Sequence, residues 1–88
     1  MELKNVTKDF INNTGIFMQK GFYGNKTEMI DKAAQDYANR LDCVDIWAIQ
    51  ECIDRIIQYS RDKDTYNEDR WRATLNYVVE RAAKEGVK

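Results

Sequence analysis

The clearest alternation of apolar and polar positions runs over residues 44–59, a stretch with no glycine and no proline. At about 100° per residue, Ile46, Ile49, Ile53, Ile56 and Ile57 fall on one face of a helix. Ala48, Cys52 and Tyr59 widen that face to about half the circumference. A helix so broadly apolar needs neighbours on more than one side, so this segment is expected at the centre of a small core.

The same period recurs on both sides of it. Over 1–20, Leu3, Val6, Phe10, Phe17 and Met18 share a face, with Thr7, Ile11 and Thr14 at its margins. Asn12-Asn13-Thr14-Gly15 is the weak point of that helix, and Gly21 its stop. Asn25-x-x-Glu28 has the form of a capping box and opens a helix over 27–41. Its apolar face is Ile30, Ala33, Ala34, Tyr37 and Leu41, flanked by Met29 and Ala38, and the alanines would let another helix approach closely. Asp42 is placed to cap the segment 44–60. A polar run from Ser60 to Asn67 ends that segment, and Thr65-x-x-Glu68 is a second capping box. The helix it opens, 66–85, buries Trp71, Leu75, Val78 and Ala82, with Val79 alongside, and stops at Gly86. Short polar connections between helices favour antiparallel neighbours. The expected fold is all-α: one domain over 1–88, a compact bundle of four helices near 4–20, 27–41, 44–60 and 66–85, with the third central.

Composition narrows the classes of function. With 43% hydrophobic and 33% charged residues in 88, the chain is neither disordered nor membrane-like. Its 14 Lys plus Arg against 15 Asp plus Glu leave a formal charge of −1, which argues against a dedicated duplex-DNA binder. Cys43 and Cys52, nine residues apart, match no metal or redox spacing and fall on different helix faces, so two reduced thiols are expected. There is no signal pattern and no apolar run long enough to span a bilayer. The expected location is cytoplasmic, with no membrane partner.

Candidate chemistry is sparse. Without histidine there is no imidazole base or ligand, and neither cysteine has a visible activating partner. The carboxylates spread along wet helix faces, where pairing with Lys or Arg accounts for them. No catalytic residue, cofactor or metal site is expected, and an enzyme is not. Gly21 to Thr27 lacks the Walker spacing, because only two residues separate Gly21 from Gly24 and Asn25 divides Gly24 from Lys26. Asp62-x-Asp64 lacks the turn glycine and bidentate glutamate of an EF-hand. Read as a recognition helix, 44–60 would present Asp45, Trp47, Gln50 and Glu51 to phosphates, with Arg55 as its basic residue.

Two features remain. Trp47 sits opposite the isoleucines, so it is either covered by another part of the chain or an aromatic anchor in an interface. On the last helix, Arg70, Tyr77, Arg81 and Lys84 form a stripe with spacings of 7, 4 and 3. Cations around an aromatic suit a phosphate backbone or an acidic protein patch, whereas the ordinary reading is a solvated face with Tyr77 covered by arginine stems.

The opening Met1-Glu2-Leu3-Lys4-Asn5, the length and the acidic helical character resemble colicin-nuclease immunity proteins over those five residues. The family's acidic third helix with adjacent tyrosines before a proline is absent, and the chain has no proline, so the resemblance carries no inference about function. The expected function is therefore a small non-enzymatic protein-interaction module, an inhibitor or adaptor, of a size that suits a phage or mobile-element accessory protein. Its partner-binding residues are expected to be Trp47, Arg70, Tyr77, Arg81 and Lys84. The alternative is nucleic-acid binding through the stripe on the last helix. A homodimer is compatible with both.

Overall fold

Caps and helix-stopping residues set the elements. The computed structural model describes residues 26–86, and the helix expected over 4–20, with its continuity through Gly15, lies outside them. Within them the chain forms α1 (Lys26–Arg40), α2 (Ile46–Arg61) and α3 (Thr65–Glu85), with no strand. None of these helices is long and apolar enough to cross a membrane.

The α2 cap differs from expectation. Asp45, in extended geometry at φ −118° and ψ 174°, accepts from the Ala48 amide at 2.7 Å, so the helix begins at Ile46 rather than near 44. Asp42 is an exposed residue of the preceding bend. The cap of α3 also shifts by one residue: Asp64 accepts from the Asn67 amide at 3.2 Å and from the Asn67 side chain at 2.7 Å. Thr65 is then the first helical residue, and the Thr65–Glu68 box is not the cap. Asp and Asn serve as well as Thr here because a short side-chain oxygen reaches the same orphan amides.

Between these helices the chain reverses within residues 62–64. The Asp64 amide donates to the Tyr59 carbonyl at 2.9 Å and the Lys63 amide to Ser60 at 3.2 Å. That is a Schellman arrangement, and Lys63 occupies its left-handed position at φ 58°, where glycine is usual. At the far end of α3 the expected glycine is present. Gly86 adopts φ 82° and donates to the Ala82 carbonyl at 2.9 Å.

The core joins all three helices. Ala38 from α1, Val44 from the connection, Ile49, Cys52 and Ile56 from α2, and Leu75, Val78, Val79 and Ala82 from α3 bury one another. A second cluster unites Ile30 and Ala34 with Ala73 of α3. In α1 the inward row is thus Ile30, Ala34 and Ala38, four residues apart, and Ala33 turns outward. Trp71, expected in the core, is half-buried. Among the described residues α3, not α2, packs extensively against both other helices. The reason is visible around its circumference: Ala73 serves α1, while Leu75, Val78 and Val79, on a different face, join the cluster shared with α2. Tyr77 touches both clusters.

Candidate functional site

Once Asp45 fixes the start of α2, and Ile49, Cys52 and Ile56 fix its inward face, Trp47 is carried to the opposite side. It is 77% exposed, the most exposed large hydrophobic residue among those described. Polar side chains border it, and local contacts hold them. Gln50 donates to Asp54 at 2.9 Å, and Arg55 stands 3.9 Å from the Glu51 carboxylate. Tyr37 approaches the same region from α1. Burial first, and then the Glu51 carboxylate, push its phenol above the usual tyrosine range.

The residues of the stripe on α3 have different surroundings. Arg81 is the most engaged. Its Nη1 donates to the carbonyls of Ala38 at 2.6 Å and Leu41 at 2.9 Å, and Nε and Nη2 grip the Glu85 carboxylate at 2.7 and 3.2 Å. Those carbonyls end α1, where the last turn lacks intrahelical partners, so Arg81 caps α1 from a different helix. Tyr77 donates its hydroxyl to Asp31 of α1 at 2.7 Å, and that bond pushes its pKa up to about 12. Lys84 is exposed and lies 3.4 Å from Glu80, a surface pair of small energetic weight.

Arg70, half-buried, faces a groove between α1 and α3 rather than the Arg81 cluster. Beside it the rings of Tyr37 and Trp71 meet edge to face, with centroids 5.3 Å apart and planes at 72°. The Trp71 indole N–H is buried with no acceptor. An unmade hydrogen bond of this kind costs about 1–3 kcal/mol.

Comparison of the chain with family models, with curated proteins and with solved structures found no match in any of the three. The side chains alone therefore carry the functional argument.

Chemically, the two cysteines differ. Cys43 is exposed, whereas Cys52 is buried and its thiol is pushed up to about 12 by that burial, which keeps it protonated and unreactive. No three His, Cys, Asp or Glu side chains among the described residues stand close enough together to hold a metal ion. Of the sequence-derived candidates, the structure sets Trp47 on one surface, Tyr77 and Arg81 in the joint between α1 and α3, and Arg70 in the groove. Arg40, Tyr37 and Asp36, which share that groove, were not singled out by sequence. Their sequence signals were ordinary ones: Tyr37 on the apolar face of α1, and Asp36 and Arg40 four residues apart on its polar side.

Proposed function

We propose that this chain is a small, non-enzymatic, cytoplasmic protein-interaction module of inhibitor or adaptor type. It acts by covering part of a protein partner with the outward face of α2, and Trp47 is its anchor. The 77% exposure of Trp47 carries this reading. Tryptophan is among the residues most enriched at interface hot spots, where a large ring is desolvated inside a polar rim. Gln50, Glu51, Asp54 and Arg55 supply such a rim, and their contacts with one another reduce the ordering cost of binding.

The nucleic-acid reading has less support, because Tyr77 and Arg81 already bind groups of α1. A tagged pull-down from lysate, with and without nuclease, compares the wild-type chain with Trp47→Ala. A protein retained after nuclease by wild type and lost with Trp47→Ala is the expected result. Retention by both forms alike, or loss of all retained material on nuclease treatment, would overturn the proposal.

A further inference from the structure

We propose that the groove between α1 and α3 is a binding site for an oxyanion, a carboxylate or a phosphate group, held by Arg40 and Arg70. This site adjoins the polar border of Trp47 through Tyr37, but does not depend on the role of Trp47. The groove encloses about 340 Å³, near the lower end of ordinary small-ligand pockets, which suits a single charged group with a short stem. Arg40 enters it from the last turn of α1 and Arg70 from α3.

The pairing pattern of the cations supports this. Arg55, Arg72, Arg81 and Lys84 each lie within 4 Å of a carboxylate of the chain. Arg40 and Arg70, like Arg61 and Lys63, have no such partner among the described residues, and what sets them apart is that both line one groove, where Asp36 is the one carboxylate. Two cations against one carboxylate leave the groove net positive. A guanidinium presents a planar fork of donors that matches carboxylate and phosphate oxygens two at a time.

The wall between the arginines points the same way. Tyr37 and Trp71 supply an apolar surface that lowers the local dielectric, which strengthens an ion pair formed against it.

In a Trp47→Phe chain Trp71 is the sole tryptophan and its emission reports on the groove. Titration with inorganic phosphate and with acetate, at constant ionic strength held by chloride, should give a saturable change with at least one of them. Saturation with phosphate alone marks a phosphate site, and saturation with acetate marks a carboxylate site. Arg70→Ala and Arg40→Ala should each weaken binding about tenfold, as expected for loss of one charge-assisted pair. Lys32→Ala, on the exposed side of α1, should leave it unchanged. Circular dichroism checks that each variant remains helical, and Arg40, exposed at a helix end, is the substitution least able to disturb folding. A response that is linear with both anions, or saturable but equal in the Arg40 and Arg70 variants and wild type, would overturn the proposal.

Discussion

Tyr77 shows how a residue that reads as part of a surface stripe becomes structural. Its ring lies against both apolar clusters, and its hydroxyl reaches Asp31, 46 residues earlier. Below pH 10 the phenol is protonated in both folded and unfolded chains. Between 10 and about 12 the unfolded chain gives up that proton while the folded chain retains it, so this contribution to stability falls as pH rises through the window. Buried Cys52 acts in the same direction from about pH 9 upward. Tyr77→Phe should therefore cost about 1 kcal/mol at neutral pH, the usual net value of one hydrogen bond. It should also decline less steeply than wild type between pH 10 and 12. Urea unfolding at stepped pH measures both. Arg81 follows the same logic, since the carbonyls it caps belong to residues 40 and 43 positions away. Neither partnership is legible in the sequence, because helical periodicity orders neighbours three and four apart and says nothing about a contact across the fold.

At the level of the helix, much more was legible. The positions of α1, α2 and α3 follow from apolar period, polar breaks and Gly86, and each boundary lies within two residues of its expectation. The choice of cap was not. Asp42 and Asp45 are chemically equivalent capping residues, as Asp64 and Thr65 nearly are, and the backbone path of the connection selects between them. Asp45→Ala should therefore lower stability by about 1 kcal/mol, whereas Asp42→Ala should stay within about 0.5 kcal/mol of wild type. Denaturant midpoints at unchanged slope decide between them, and equal costs would reassign the cap. The facing row of α1 shifted from Ala33 to Ala38 for a related reason. Ile30, Ala34 and Ala38 stack at spacings of four, and small side chains there allow α3 to approach.

For the whole molecule, the breadth of the apolar face on α2 pointed to it as the central helix, yet α3 holds that place among the described residues. Breadth of a face measures how much a helix can bury. It does not reveal which partners share that burial, and α3 reaches both neighbours by presenting different faces to them. The candidate surfaces divide in the same way. Trp47 was legible as a residue out of place on its wheel, while the Arg40–Arg70 groove exists only when α1 and α3 come together.

The proposed function requires Trp47 to be open to a partner, and its fluorescence tests this directly. In a Trp71→Phe variant with unchanged helical circular dichroism, Trp47 is the only tryptophan. The structure predicts water-like, red-shifted emission that acrylamide quenches efficiently. Blue-shifted emission protected from acrylamide would mean that the ring is covered within the chain itself, and the proposed anchor would have to be abandoned.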